Sequence, residues 1–274
     1  MGRCSLAAAM VMQVSPAPAV HAYVIDTGLR RSHQDFGGRA DWIGDFVTGA
    51  PASSDAEDCD PPPSPGHGTH VASIIARGAA DARIHALRIL PCSGTTRTDL
   101  GAAVRAVDWI TAHGQKPAVV NMSAARWQSS ETALDRAVVR SIDAGFTYIV
   151  SAGGVDRIDD YTPQRVPGVV TVGSVNDADE AVQSGYGPHL TLFAPGVKID
   201  GAGRASDTDR FAGDGDSYAA AIVSATAAVY LHQHPLATPA DVVAALISAA
   251  TPNVVKNAGT SPNRRLRPAS GQRP

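Results

Sequence analysis

The sequence predicts an α/β fold: a mostly parallel central sheet with helices on both faces, in three layers. Short β-branched, apolar runs alternate with longer helical segments along the chain, and strand–helix–strand crossovers make neighbouring strands parallel. Hydrophobic residues are 44% of the 274, enough for a sizeable core. No internal repeat is seen and no linker divides two cores. The 26 Gly and 19 Pro point to many loops around one core.

Ala22–Asp26 is a β-rich run ended by Thr27-Gly28, a buried strand with Asp26 at its carboxyl end. Residues Val47–Gly66 are rich in Pro, Ser, Asp and Gly and read as a surface loop. His70–Arg77 starts a helix, Arg83–Leu90 is a strand, and Thr98–His113 is a helix with Asp99 in its first turn. Pro117–Met122 is a strand, and Glu131–Ala144 is a helix stopped by Gly145. Phe146–Ser151, Val169–Val175 and Leu190–Phe193 are further strands. Ser217–His232 is an Ala-rich helix bounded by Pro235, and Thr238-Pro239 opens the last helix as cap and first helical residue.

Net charge is −3 and only 18% of residues are charged. That excludes disorder except at the ends and offers no basic surface to nucleic acid or to an anionic membrane. No apolar run is long enough to span a membrane. Residues 1–19 read as an N-terminal extension, signal-like or a remnant: Met1–Arg3 precedes the apolar Cys4–Val14, and Ala17–Ala22 offers small residues for cleavage. Arg264, Arg265, Arg267 and Arg273 make a basic, solvated end, with 267–274 a flexible tail. Cys4, Cys59 and Cys92 allow at most one internal bridge, and no pair has zinc-finger spacing.

Three segments carry chemistry. Val24-Ile-Asp26-Thr-Gly28 ends a strand in an acid. Gly66-His67-Gly68-Thr-His70 puts a His between two glycines before an apolar helical run. Gly215-Asp216-Ser217-Tyr-Ala-Ala220 starts a small-residue helix with a Ser. Each alone is weak, since such residues are usually turns or caps. Together they supply what a Ser nucleophile needs: a His to take its proton, a buried carboxylate to orient the His, and helix N-terminal N–H groups for developing negative charge. The chain order Asp, His, Ser is that of subtilisin, the worked case for this order. His70, one turn beyond His67, reads as a packing residue.

These segments resemble the three signature blocks of the subtilisin-like serine peptidases. The likeness continues through His33–Ala40, Val119–Ser123, Thr191–Gly196 and Ala250–Val255. Tyr23–Asp26 and Asn257–Asn263 resemble the proteinase K and aqualysin-like branch. The match covers roughly residues 20–266, a single peptidase domain. It implies a subtilisin-like fold and hydrolysis of peptide bonds through a Ser acyl-enzyme, with Asp26, His67 and Ser217 catalytic. It also implies that Ser123, Ala124 and Ala125 form the edge that pairs with substrate, with Ala152, Gly153 and Gly154 opposite. The partner is then a peptide in extended conformation, with neither nucleic acid nor membrane, and the protein a secreted monomer. No cofactor is required. The resemblance further implies a Cys59–Cys92 bridge, with Cys4 free, and an oxidising compartment. It places a structural calcium at the carbonyls of Pro167 and Val169 with Asn176 or Asp177; Asn176 stands where a carboxylate is expected, which weakens the site.

The chain departs from the family pattern where charge develops. Gly154 replaces the Asn that donates to the oxyanion, a donor worth about 10²–10³-fold in turnover in subtilisin itself. Asp216, Tyr218, Ala221 and Ile222 replace Thr, Met, Pro and His, and Ala125 replaces a Gly. These changes point to weak or specialised activity. A peptide-binding pseudopeptidase and a peptide acyl-transfer enzyme are the alternatives. Only 25 residues precede Asp26, fewer than a folding propeptide, so the chain is expected to be processed or truncated, or to fold unaided.

Overall fold

The computed structural model describes residues 18–47, 56–60, 64–92, 99–124, 126–128, 130, 132–182 and 184–268. The strands are β1 (Val20–Asp26), β2 (Ala40–Asp45), β3 (Ala82–Arg88), β4 (Ala118–Met122), β5 (Trp127–Gln128), β6 (Thr147–Ser151), β7 (Tyr161–Thr162), β8 (Val170–Val175), β9 (Leu192–Pro195), β10 (Ile199–Ala202), β11 (Arg210–Gly213), β12 (Thr251–Pro252) and β13 (Arg264–Arg265). The helices are α1 (His67–Gly78), α2 (Leu100–His113), α3 (Thr132–Asp143), α4 (Asp216–Gln233) and α5 (Pro239–Ala249).

Nine strands form one sheet in the order β12-β13-β9-β8-β6-β4-β1-β3-β2. Every pairing is parallel except β12 with β13. β1 lies between β4 and β3 and is buried along its whole length. Its side chains alternate between two cores. Val20, Ala22 and Val24 pack with residues of α1, α4 and α5, whereas Tyr23 and Ile25 pack with α2 and α3. By the same alternation Asp26 falls on the α1/α4 face, where the His and Ser of the other two segments start their helices. The expected three-layer α/β fold is thus present.

α4 is buried almost all round, with Ala219, Ala220, Ala221, Ala225, Ala227 and Ala228 within the core. A helix apolar on every side belongs inside a domain, and its small side chains let it lie close to the sheet. α5 has the expected opening: Thr238 caps it in a reciprocal capping box with Asp241, and Pro239 is the first residue.

Some boundaries differ from expectation. α1 starts at His67 rather than His70. Asp99 is the cap of α2, its carboxylate accepting the Gly101 N–H at 3.0 Å, not a residue of the first turn. β9 starts at Leu192, because Leu190 closes a turn on the Gly187 carbonyl. The edge strand β2 was not foreseen. It is half exposed, carries Asp41 and Asp45, and shifts register between Trp42 and Gly44, so it lacks a clean alternation. The expected Cys59–Cys92 disulfide is present, its Cα atoms 4.9 Å apart; Cys4 lies outside the described residues.

Candidate active site

Asp26 is fully buried at the end of β1. Its Oδ1 accepts the Thr27 N–H at 2.7 Å and the His67 Nδ1–H at 2.7 Å. His67 is brought there by the entry into α1. Gly66 takes a left-handed conformation (φ +100°) as cap, and Gly68 lies so close to the Gly28 carbonyl that a Cβ would collide with it. The Gly68 N–H donates to Thr27 Oγ1 at 2.8 Å, locking the first turn of α1 onto the end of β1.

Sequence reasoning missed the group behind this lock. Asp58 is buried and accepts from the Thr27 hydroxyl (2.9 Å), the Thr69 hydroxyl (2.6 Å) and the Thr69 N–H (2.9 Å). Burial pushes its carboxyl pKa up, against the hydrogen bonds from Thr69 and Asp60. Thr27 and Thr69 both sit inside the motif segments, and their need for a buried acceptor was the available signal. The neighbouring Asp60 accepts the His67 N–H at 3.2 Å. Burial opposes charge on the His67 ring, but the carboxylates of Asp26, Asp60 and Asp58 outweigh it and raise its pKa to about 9.

Ser217 is in the first turn of α4, where N–H groups have no intrahelical acceptor. The next residue, Tyr218, packs its ring 6.0 Å from the His67 ring. The Ser217 hydroxyl donates to the Ser123 carbonyl at 3.1 Å, an oxygen that also accepts from Ser151 Oγ at 3.2 Å. Ser123, at the end of β4, is fixed by Asn121, whose amide in turn donates to Ser224 of α4. His70 is a packing residue, as expected. Its Nε2–H donates to the Ile199 carbonyl at 3.1 Å, its ring packs on Phe211 and Tyr218, and burial lowers its pKa to about 4.

Asp216 is buried beside Ser217, 5% exposed. Neither carboxylate oxygen has a hydrogen-bond partner of good geometry. Ser174 and Ser184 lie near it, but their hydroxyls donate to the carbonyls of Val182 and Gly185. Burial therefore dominates and raises its pKa to about 6.

β4 and β6 are neighbours whose last pair is Met122 with Val150. Beyond it Ser151 Oγ still donates to the Ser123 carbonyl at 3.2 Å, and Ser123-Ala124 and Ala152-Gly153-Gly154 follow at the carboxyl ends of the two strands, the usual place for a site in a parallel sheet. Ala125 lies outside the described residues. Gly154 has φ +64° and no side chain to donate. The space in front of it is taken by Arg126, which sequence reasoning did not single out: a Cβ on Gly154 would meet Arg126 Cζ at 2.8 Å and Nη1 at 3.0 Å.

Of the groups expected to hold calcium, Asn176 is engaged in its own turn. Asn176 Oδ1 accepts the N–H groups of Ala178 and Glu180, and its amide donates to Glu180. Its oxygen is committed to this turn, and the carbonyl of Val169 accepts from Thr191.

A sequence model of the subtilase family matches residues 20–266. The extracellular serine proteinase of Thermus sp. is 44% identical over 254 residues, covering 90% of this chain and 59% of that protein. The alkaline serine exoprotease A of Vibrio alginolyticus is 35% identical over 90% of this chain and 45% of its own length. The chain thus spans about half the length of these relatives. The solved structure of a cold-adapted subtilisin-like serine proteinase superposes with a TM-score of 0.82, at 35% identity, covering 93% of this chain and 90% of that one. With its parallel sheet, the Asp26–His67 pair at the end of β1 and the Ser at the head of α4, this chain belongs to the subtilase family.

Proposed function

We propose that this protein is a serine endopeptidase, with Ser217 as nucleophile, His67 as general base and Asp26 as the carboxylate that orients it. The observation that carries this is the 2.7 Å bond from His67 Nδ1 to a buried Asp26, on the same face of the sheet as Ser217. That bond leaves Nε2 of the neutral ring as the proton acceptor. The Ser217 hydroxyl turns from the Ser123 carbonyl towards Nε2 and loses its proton as its oxygen bonds to the substrate carbonyl carbon. The imidazolium returns that proton to the leaving amine, and water then releases the acyl group by the same route. The Ser217 N–H and the first turn of α4 face the oxyanion. Turnover is weak for the family, because Gly154 supplies no donor and Asp216 brings charge to the wrong place.

The 20–266 segment is the peptidase domain. It acts as a monomer on extended peptides. Export is supported by the Cys59–Cys92 bridge and by a relative described as extracellular; no described helix is long and apolar enough to cross a membrane.

The test is a fluorophosphonate probe together with a peptide anilide. Wild type is labelled and hydrolyses the anilide; Ser217→Ala does neither while remaining folded. Labelling that survives Ser217→Ala excludes the assignment. Absence of both labelling and hydrolysis in folded wild type supports the pseudopeptidase, and mass spectrometry of products formed with an added amine separates hydrolysis from acyl transfer.

A further inference from the structure

On the peptidase reading, the side chain of the residue whose carbonyl meets Ser217 lies between Ser123-Ala124 after β4, where the Ser217 hydroxyl bonds to the Ser123 carbonyl, and Ala152-Gly153-Gly154 after β6. Arg126 stands in that space. The Arg126 side chain crosses it from the β4 side to the turn at Gly153 and Gly154. Its Cδ is 3.6 Å from a Cβ position on Gly153, and its guanidinium stands against Gly154. The guanidinium is held from two other directions. It stacks 4.1 Å over the Tyr161 ring, and Nη2 donates to the Asp156 carboxylate at 2.6 Å. The frame is stiff, since β5 and β7 pair Trp127 with Thr162 and Gln128 with Tyr161. Nη1 is buried without a hydrogen-bond partner, so the bond to Asp156 and the stack on Tyr161 hold the guanidinium.

We infer that Arg126, stacked on Tyr161 and latched by Asp156, is a specificity-determining plug that restricts cleavage to bonds following small side chains such as Ala, Gly or Ser. A bulky side chain enters only if the guanidinium leaves both its ring and its carboxylate. An acidic side chain meets a guanidinium whose charge Asp156 already balances. This rests on the peptidase reading and names its substrate class.

The test compares kcat/KM for succinyl-Ala-Ala-Pro-Xaa anilides with Xaa as Ala, Phe and Glu, in wild type, Arg126→Ala and Asp156→Ala. Wild type is expected to prefer Ala over Phe by at least about 10-fold, within the range that pocket fit commonly provides. Arg126→Ala should shift the Ala/Phe ratio towards Phe by about 10-fold or more, and Asp156→Ala, which only unlatches the plug, by less. A wild type that accepts Phe as well as Ala, a ratio unmoved in Arg126→Ala, or a preference for Glu overturns the plug. A second measurement is independent of turnover. Calorimetric binding of tetrapeptides ending in Ala or Phe to Ser217→Ala, with and without Arg126→Ala, should show the same reversal. Selective binding with no hydrolysis by the parent enzyme sinks the peptidase reading and keeps the plug; equal binding of both peptides in both proteins sinks the plug.

Discussion

The Ser217 hydroxyl donates to the Ser123 carbonyl, 3.1 Å away, and not to His67. A protonated imidazole has no lone pair to offer a hydroxyl, and the carboxylates around His67 raise its pKa to about 9. The Ser217 hydroxyl rests against the end of β4.

Activity should rise with pH through about 9, because only neutral His67 is a base. In stability the same shift has the opposite sign. A His whose folded pKa is raised stabilises fully below the unfolded value of 6.5, and that contribution is lost as pH rises through about 9. A profile of kcat/KM from pH 6 to 11, alongside melting temperature, should show the first climbing as the second falls. A kcat/KM already flat at pH 7 would falsify the imidazolium resting state.

Asp216→Asn should raise both stability and turnover at pH 8. The buried carboxyl has a pKa of about 6 against 3.8 unfolded. Its protonated form favours folding below 3.8, and this is lost as pH rises through 6, a swing on the order of 2–3 kcal/mol. On the peptidase reading, removing a negative charge one residue from Ser217 also favours the negative charge that develops there. Urea denaturation at pH 5 and pH 8 checks the first point: the gain should be larger at pH 8. The anilide kcat checks the second.

Asp58→Ala should cost roughly 2–3 kcal/mol, because the buried hydroxyls of Thr27 and Thr69 lose their acceptor. It should also lower kcat more than it raises KM, since it frees the turn that aims His67. Reducing the adjacent Cys59–Cys92 bridge, whose ends are 33 positions apart in sequence, should cost about 3–4 kcal/mol on the chain-entropy view. Chemical denaturation with and without reductant measures this. An unchanged midpoint would remove the bridge from the stability account.

Gly154→Asn alone should not improve turnover. Asn tolerates the left-handed backbone at φ +64°, but its Cβ would strike the Arg126 guanidinium. Combined with Arg126→Ala the amide has room to reach the oxyanion, and kcat should rise about 10-fold over Arg126→Ala alone. Equal kcat in those two proteins would show that the missing amide is not what limits the enzyme.

The sequence carried the sheet strands of the core and all three triad candidates, because each stands in a short continuous segment with a recognisable start or stop: Asp26 before Thr27-Gly28, His67 between glycines, Ser217 after Gly215. It did not carry Asp58, Arg126 or Tyr161. These act across contacts between distant segments, such as Thr27 with Asp58 or Arg126 with Gly154, which leave no periodicity or spacing to read. The two-residue strands β5 and β7 were invisible for the same reason. Their pairing is a tertiary fact, too short to imprint a pattern.

The alanine surface of α4 has a mechanical consequence. Between Ser217 and the last turn of the helix most of the buried side chains are Ala, with Ile222, Val223 and Leu231 the larger ones in the same core. Long side chains absorb displacement by changing rotamer, and methyl groups cannot. Along its alanine-lined stretches the helix therefore yields little, and Ser217 stands at its head. A methylene added at Ala220 or Ala227 is not taken up where it is introduced. It is transmitted along the helix as a tilt or slide of the Ser217 hydroxyl against a histidine that is anchored separately at the end of β1. The alignment of the two reacting groups is in this sense a property of the whole length of α4.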